Sequence, residues 1–464
     1  MNAKELMKLG VPMGEPVKIA INLVADFALS GCKKHWMEKE VAAIVAAPEE
    51  FKDDELRGRL AHALMGHRQT VRSEAVPYEQ WGGDLDAEAI NQMDRACYLP
   101  VSVAGALMPD AHVGYGLPIG GVLATDNAVI PYAVGVDIAC RMKMTVLDLP
   151  VKDFERKSDR LQGAIERETR FGIGASFKRR REHEVLDKDW TVSPVTKSGK
   201  DKAWSQLGSS GSGNHFVEFG LFEAKEPIGD LAPGKYVALL SHSGSRGTGA
   251  QVCNHYSKLA KKAHEDLPKE LIHLAWLSLD EEAGAEYWAA MNLMGEYAAA
   301  NHACIHRHVA ENLGFEVLLD IENHHNFAWK ETHVIDGEKR EVIVHRKGAT
   351  PAGKGVLGII PGSMASPGFV VRGKGNPVSL NSASHGAGRV MSRKKASQTF
   401  KWHDVNKVLK DRGVKLMSAG LDEVPGVYKD IHEVMNAQTN LVDILGQFDP
   451  KIVKMAPHGE RPEY

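Results

Sequence analysis

Three times along this chain a histidine stands beside a turn rich in glycine and serine, within or just after a strand-like run, and a fourth such run ends in a pair of histidines. The four segments are Gly211–His215, Leu240–Gly247, Asp320–Asn326 and Ser382–Arg389. Glycine lets backbone amides approach an anion closely, and histidine can act as a metal ligand or a nucleophile. One such segment is explained equally well as a tight turn with a polar side chain, but four of them predict a site for a metal and a phosphate.

An acid and a thiol lie three residues apart in Gly135-Val-Asp137-Ile-Ala-Cys140. Alone, this spacing is more often structural. Beside the histidine segments, Asp137 and Cys140 become candidate ligands, because thiolate, imidazole and carboxylate together suit manganese, zinc or iron.

Length and composition describe an ordinary folded protein. The 464 residues are 43% hydrophobic and 25% charged, which excludes a disordered, collagen-like or coiled-coil chain. The net charge of -3 excludes a histone-like polycation and permits a local basic surface for nucleic acid. We find no apolar run of the ~18 residues that a membrane span needs and no signal peptide, so we expect a cytoplasmic protein without a membrane partner. The cysteines are too few and scattered for a disulfide framework and are predicted to be free: Cys32, Cys97, Cys140, Cys253 and Cys304.

The periodicity predicts two regions. Residues 1–95 have helical spacing and form a mostly helical N-terminal extension. Residues 96–464 alternate strand-like and helical blocks, which predicts an α+β fold. Within it, the run at 237–242 is predicted to be a buried strand, and the polar stretch 176–212 a long surface loop with some ordered structure.

Three other motifs are rejected as functional. Gly348–Gly355 resembles a phosphate-binding P-loop, but its last position has no hydroxyl and no helix follows. Gly353–Gly358 has the spacing of a dinucleotide-binding loop and also opens no helix. His302 and His306 share a helix face but lack the adjacent glutamate of a zinc protease, so we expect surface or half-buried histidines.

The longer motifs resemble those of the RtcB family of GTP-dependent RNA ligases. The matching stretches appear in the family's order over roughly residues 100 to 440 and are MPDAHVGYGLPIGGV (108–122), VGVDIAC (134–140), GSGNHFVE (211–218), LLSHSGSRGTG (239–249), HHNFAWKE (324–331), HRKGA (345–349), IIPGSM (359–364), SHGAGRVMSR (384–393) and YKDI (428–431). The resemblance implies an RtcB-like fold, in which a layered β-sheet core is flanked by helices around a deep metal and nucleotide cleft. It also makes 96–464 the catalytic domain.

The resemblance also implies a role for each motif. Cys140 would bridge two manganese ions, and His385 would be the nucleophile that becomes guanylylated. The family motif places a ligand immediately before Asn326, which selects His325 over His324. The remaining metal ligands would be Asp137, His215 and His242. The implied nucleotide-binding residues are Asn214, Glu218, Ser363, Arg389, Arg393 and Tyr428.

The implied function is joining of RNA 3′-phosphate or 2′,3′-cyclic phosphate ends to 5′-hydroxyl ends, in tRNA splicing or RNA repair, with GTP and two Mn²⁺ ions. The absence of a K-x-D-G tetrapeptide fits a histidine rather than a lysine nucleophile. The partners would be RNA and, as in some relatives, an archease-type activating protein. The alternative is a metal-dependent phosphoesterase that acts on RNA ends without ligation, and a third interpretation is a non-catalytic RNA-binding protein.

The sequence departs from the family at three places. Gly368 stands where members often have a guanine-binding serine, with Ser366 nearby, and no terminal Lys-Gly pair is present, leaving Lys454 as a substitute. Ala139 is one of two residues that flank the cysteine where glycines are usual, the other being Arg141. The first two changes, at Gly368 and at the terminal lysine, predict relaxed nucleotide preference.

Two basic runs are candidate RNA contacts. The run at 177–181 is the denser one, and a solvated loop is the commoner role for such a run. The run at 393–395 lies nearer the nucleophile in sequence and is the better candidate for RNA phosphates.

Overall fold

The computed structural model describes residues 1–12 and 15–460, so the part of the predicted family departure that falls on residues 461–464 lies outside the described residues. The helices are α1 Ala3–Lys8, α2 Glu15–Leu29, α3 Lys34–Ala46, α4 Gly58–Thr70, α5 Ala87–Cys97, α6 Pro131–Val134, α7 Ser158–Glu168, α8 Pro194–Gln206, α9 Arg246–Ala263, α10 Glu282–Leu313, α11 Arg393–Thr399, α12 Trp402–Asp411 and α13 Ile431–Asn436. The strands are β1 Tyr78–Gln80, β2 Ser102–His112, β3 Ile119–Thr125, β4 Ala128–Val129, β5 Arg141–Leu147, β6 Phe216–Ala224, β7 Gly234–Ser243, β8 Leu277–Ser278, β9 Val317–His324, β10 Asn326–Ile335, β11 Glu338–Lys347, β12 Ala349–Pro351, β13 Leu357–Ile360, β14 Gly368–Gly373, β15 Ser382–Ser384, β16 Lys415–Ser418 and β17 Val442–Met455.

Two sheets make up most of the strand structure. One has the order β1-β2-β3-β11-β10, and the other has the order β13-β14-β17-β6-β7-β5-β9 with β16 paired to β17. Two short pairs, β4-β8 and β12-β15, lie outside them. The mixture of helix and sheet that the sequence predicts is confirmed.

The predicted buried strand at 237–242 lies within β7, at the centre of the larger sheet between β6 and β5. Its side chains alternate between two apolar layers. Val237 and Leu239 pack with helix residues of α7 and α10, whereas Ala238 and Leu240 pack into a cluster on the other face. A strand covered on both faces reads as a continuous apolar run, which is why this segment was predictable.

The N-terminal region has its own apolar core, formed by residues 6–64 of α1 to α4 and their connections. The segment that follows packs with the rest of the chain instead. Strand β1 pairs with β2, and α5 contributes Met93 and Ala96 to the largest apolar cluster. The expected boundary between 95 and 96 therefore falls inside α5.

The prediction of a surface loop over 176–212 was wrong at its C-terminal part, where α8 forms. Ser193 caps this helix, its side chain accepting hydrogen bonds from the amides of Val195 and Thr196, and Pro194 occupies the first helical position. Because the helix carries few apolar residues, it is indicated in the sequence by its N-terminal cap and not by apolar periodicity. Beyond it, the turn at 208–212 is fully buried.

The prediction that His302 and His306 are surface or half-buried residues was also wrong, because both are buried in α10. The Ser241 hydroxyl is 2.7 Å from His302 Nδ1 and 2.7 Å from His306 Nε2. Burial holds the pKa of both imidazoles well below the usual value, so both are neutral. The pair forms a satisfied polar network behind β7.

Within the described ranges, none of the helices has both the length and the apolar composition that crossing a bilayer requires.

We predict that Gly220→Ala destabilises the larger sheet. A Cβ at Gly220 in β6 would lie 2.2 Å from the carbonyl oxygen of Asp449 and 2.5 Å from the ring of Phe448, so the sheet would have to shift. Overpacking of this kind costs about 1–3 kcal/mol, which thermal unfolding would report as a lower Tm. Gly83→Ala is the control, since nothing lies within 4 Å of its Cβ position, and equal Tm values for both variants would contradict the packing described here.

Candidate functional site

The predicted metal ligands meet at one end of four neighbouring strands. Cys140 immediately precedes β5 and His215 immediately precedes β6, while His242 is near the end of β7 and His325 immediately follows β9. Because β6, β7, β5 and β9 are successive antiparallel neighbours, the start of each strand adjoins the end of the next. Asp137 reaches the same place from the loop between α6 and β5.

The ligand atoms form two groups that share one thiol. One group is Cys140 with His242 and His325, the other is Cys140 with Asp137 and His215, and the atoms of each group lie within 4.8 Å of one another. The Cys140 Sγ is 3.1 Å from His242 Nε2 and 3.4 Å from His215 Nε2. Each group could hold a metal ion, and the two groups have the Cys140 thiol in common.

Backbone carbonyls orient two of the imidazoles. His215 Nδ1 is 2.7 Å from the carbonyl oxygen of Ser210, and His242 Nδ1 is 3.1 Å from that of Asn214. A carbonyl only accepts, so each Nδ1 carries a proton. The Nε2 of neutral His242 therefore offers a lone pair to the group, whereas His215 Nε2 lies 3.0 Å from the Asp137 carboxylate. The Nε2 atoms of His242 and His325 are 3.1 Å apart, a repulsive contact unless a cation or a proton lies between them.

The protonation states suit a cation. Burial and the neighbouring His215 lower the pKa of His242 to about 3, and burial with nearby His385 holds the pKa of His325 well below its usual value. Burial alone would raise the pKa of Asp137, but the hydrogen bond from His215 outweighs it and brings the value to about 2. Burial raises the pKa of the Cys140 thiol, so the thiolate needs a cation to form here.

The loop around Asp137 is shaped for this contact. A Cβ on Gly244 would lie 2.2 Å from the Asp137 carboxylate, so only glycine lets the carboxylate in. The amide of Ser245 donates to Asp137 Oδ1 at 3.1 Å. Ala139, which replaces the usual glycine, adopts a φ of 55° and is held by a 2.7 Å hydrogen bond from its amide to the carbonyl of Asn326.

His385, the predicted nucleophile, follows β15 and is held by a buried acid. Its Nδ1 is 2.6 Å from Asp110 Oδ2, which also accepts from the His385 amide at 3.2 Å. The His385 and His325 rings lie 4.9 Å apart. Asp110 orients the imidazole so that its other nitrogen is free to react. Sequence analysis assigned Asp110 no role, although it lies in the 108–122 stretch.

The six predicted nucleotide-binding residues line one cavity of ≈ 160 Å³ together with His242, His325 and His385. They are Asn214, Glu218, Ser363, Arg389, Arg393 and Tyr428. The ligands Asp137, Cys140 and His215 lie behind this wall. Burial raises the pKa of Glu218 well above its usual value, so this carboxyl can hold a proton in the cavity.

Two acids missed by the sequence reasoning anchor the two arginines. Arg389 is 3.1 Å from Glu423 and donates to the backbone oxygen of Asp422 at 2.8 Å. Arg393 pairs with both acidic side chains, and Tyr428 donates to Glu423. Glu423 is buried and fixes the guanidinium groups at the cavity wall. The only readable signal was the adjacent acidic pair in a segment of otherwise apolar residues.

The residues at which the sequence departs from the family differ in where their side chains lie relative to the cavity. Ser366 and Gly368 both line the cavity, and the Ser366 and Ser363 hydroxyls are 2.5 Å apart. Lys454 Nζ is 2.5 Å from Glu166 and lies 5.5 Å from the ring of Phe171, while its neighbours in β17 line the cavity. The Lys454 side chain thus points away from this cavity.

Comparison with known proteins places these residues in a family context. A family model described as tRNA-splicing ligase RtcB matches residues 92–455. The RNA-splicing ligase RtcB of Escherichia coli strain K12 is 32% identical over 411 aligned residues, covering 81% of this chain and 97% of the relative. The tRNA-splicing ligase RtcB of Nanoarchaeum equitans is 31% identical, covering 75% and 87%, and that of Thermococcus kodakarensis is 29% identical, covering 81% and 94%.

We predict that Cys140→Ala empties both metal groups, because one thiol serves both. Equilibrium dialysis against Mn²⁺ followed by elemental analysis should show loss of both equivalents, whereas His325→Ala should weaken only one group. Cys253→Ala is the matched control, since that buried thiol lies in the apolar core 3.6 Å from the carbonyl of Pro131. Full metal content in Cys140→Ala would contradict the shared-thiol arrangement.

Proposed function

Because the chain belongs to the RtcB family, we propose that it is an RNA ligase that joins RNA 3′-phosphate or 2′,3′-cyclic phosphate ends to 5′-hydroxyl ends. The reaction would proceed through GTP-dependent guanylylation of His385, in tRNA splicing or RNA repair. RNA is the partner that this reaction requires, whereas an archease-type activator and a cytoplasmic location stay predictions.

The observation that carries the proposal is the pairing of His385 with Asp110 in the wall of the cavity. A carboxylate on Nδ1 fixes the tautomer in which Nε2 has a lone pair, and it stabilises the positive charge that develops on the ring when Nε2 forms a bond. A purely RNA-binding protein needs no such pair. A metal-dependent phosphoesterase without a covalent step would not need it either.

The donor set described above fits two divalent cations of the manganese type, held by Cys140 in common. Asp137 and His215 would complete one set, and His242 and His325 the other. When bound, such cations neutralise negative charge on phosphate oxygens and act as Lewis acids. Glu218 is outside both sets and remains available to the nucleotide.

In the first step, His385 Nε2 would attack the α-phosphate of GTP, forming a P–N bond as pyrophosphate leaves. Arg389 and Arg393 are placed at the cavity wall by Glu423, where their guanidinium groups can hold phosphate oxygens. The Asp110 carboxylate accepts a hydrogen bond from Nδ1–H, which keeps the proton on Nδ1. Its negative charge stabilises the cationic ring during the attack.

In the second step, an oxygen of the RNA 3′-phosphate would attack the guanylyl phosphorus, which breaks the P–N bond and restores neutral His385. The third step joins the chains, when the 5′-hydroxyl attacks the activated 3′-phosphate and GMP leaves. A 2′,3′-cyclic phosphate would first be opened by water to give the 3′-phosphate.

The base of the nucleotide would be read by few groups. Glu218 and Ser366 line the cavity and offer a carboxyl and a hydroxyl. Gly368 offers no side chain, and Lys454 is held by Glu166. Relaxed discrimination between GTP and ATP is therefore part of the proposal.

We predict that His385→Ala abolishes transfer of radiolabel from α-labelled GTP to the protein in the presence of Mn²⁺, on a denaturing gel. The wild-type adduct should be lost in acid and survive alkali, because protonation makes the imidazole nitrogen of a phosphoramidate a good leaving group. The variant should retain its metal and should still join RNA whose 3′ end already carries GMP.

An acid-stable wild-type adduct, or label on His385→Ala, would show that another residue is the nucleophile, Ser384 being the nearest rival in sequence. Hydrolysis of RNA end phosphates without GTP, combined with no labelling of the wild type, would favour the phosphoesterase alternative. Asp110→Asn tests whether Asp110 positions His385 without being essential for the covalent step. It should slow labelling severalfold without abolishing it.

We also predict that ATP competes for labelling of His385 better than it does in a relative that has a serine at the position of Gly368. Each missing base contact removes about 1 kcal/mol, or about fivefold in preference. The measurement is labelling by GTP against increasing ATP in both proteins. Ser366→Ala should reduce the preference for GTP over ATP further. Strict GTP selectivity in this variant would contradict the role given to Ser366.

A further inference from the structure

An exposed aromatic ring lies on a loop that begins and ends at the cavity containing His385. The loop 113–118 connects β2 to β3, and the residues at its two ends, His112 and Ile119, both line the cavity that contains His385. Near the tip of the loop, the Tyr115 side chain is 71% exposed. The mechanism proposed above gives this ring no role.

The backbone beneath Tyr115 is fixed at three successive residues. Gln92 donates to the Gly114 carbonyl at 2.6 Å and accepts from the Gly114 amide at 3.0 Å. The buried Lys347 donates to the carbonyl of Tyr115 itself. Gly116 packs so closely that a Cβ there would lie 2.9 Å from the carbonyl of His273. A solvent-exposed ring on a fixed backbone loses little conformational entropy when a ligand covers it.

Other rings and a cation extend the surface. His273 lies between two tyrosines, with its ring centroid 6.2 Å from that of Tyr115 and 5.2 Å from that of Tyr132. Lys261, in the last turn of α9, has its Nζ 4.8 Å from the Tyr132 ring and 3.1 Å from His273 Nδ1. We call Tyr115, Tyr132, His273 and Lys261 the Tyr115 platform.

We propose that the Tyr115 platform binds single-stranded RNA next to the end being joined, with a base stacked on Tyr115 and a phosphate near Lys261. The proposal rests on the RNA ligase function proposed above. Aromatic rings bind bases of any sequence by stacking, and a lysine beside them contributes a backbone phosphate contact. The occupant is an RNA strand because both ends of the loop lie at the cavity where the RNA end must react.

The densest basic run is a poorer candidate for this role. Arg180 pairs with Asp201 at 2.6 Å and Arg181 pairs with Glu168 at 3.0 Å. Both guanidinium groups also pack on aromatic rings, Arg180 on Trp204 and Arg181 on Phe177. Two of the cations in this run are therefore already used within the fold.

The test measures binding of fluorescein-labelled single-stranded RNA by anisotropy, with one strand ending in a 3′-phosphate and another beginning with a 5′-hydroxyl. Tyr115→Ala should weaken binding of one of the two strands about tenfold, since stacking on one ring is worth that much in affinity. Tyr115→Phe should bind as the wild type does, because the ring remains. The matched control is Tyr98→Ala, which removes an exposed tyrosine at the opposite end of β2.

RNA with a single abasic nucleotide locates the stacked base. In the wild type, an abasic nucleotide at one position near the joined end should reduce the affinity for RNA as much as Tyr115→Ala does. In Tyr115→Ala, the same abasic nucleotide should cause no further loss of affinity. The affected strand identifies which of the two RNA ends occupies the platform. Lys261→Ala should weaken binding and reduce its dependence on salt concentration.

Wild-type affinity of Tyr115→Ala for both strands would overturn the platform, as would equal losses in Tyr115→Ala and Tyr98→Ala. Labelling with α-labelled GTP in the same preparations separates this failure from failure of the ligase proposal. If the wild type takes up label and Tyr115→Ala binds RNA normally, only the platform is contradicted. If the wild type takes up no label, the proposed function is contradicted.

Discussion

The buried thiol of Cys140 is the point on which the site depends, because two groups of ligands converge on it. Within the hydrogen-bonded ends of four strands, three imidazoles, a carboxylate and this thiol are brought out of water. Removing so many polar atoms from solvent is unfavourable unless each finds a partner. A pair of cations held in common would provide those partners, one of them between His242 and His325, whose Nε2 atoms are 3.1 Å apart.

The backbone holds these groups in register. The His325 amide donates to the carbonyl of Cys140 at 3.0 Å, and the His325 carbonyl accepts from the amide of Gly348 at 2.8 Å. One peptide segment thus links the metal groups to the start of β12. Fully buried Arg346 then joins Glu331 of β10 to the hydroxyl of Ser382 at 2.8 Å, three residues before His385. The larger sheet supplies the ligands, the smaller sheet supplies Asp110, and this link sets the position of His385 between them.

Much of this could be predicted from the sequence, and the reason is local. Ligands such as His215 and His242 stand in glycine-rich motifs next to buried strands, so their chemistry and their position at strand ends are both visible in the linear pattern. The role of Asp110 is not visible, because its partner His385 is 275 residues away and is brought to it only by the packing of β15 against β2. The same holds for Glu423, whose function is to hold arginines from another segment. Burial of His302 and His306 was missed because their compensating hydroxyl, Ser241, lies on a different element.

The central claim is that two cations share one thiolate. Electron paramagnetic resonance during titration with Mn²⁺ tests it directly, because two manganese ions bridged by a common sulfur interact magnetically. The account predicts that a spin-coupled signal appears as the second equivalent binds and that Cys140→Ala lacks it. Two uncoupled manganese signals, or saturation at one equivalent, would contradict the shared site.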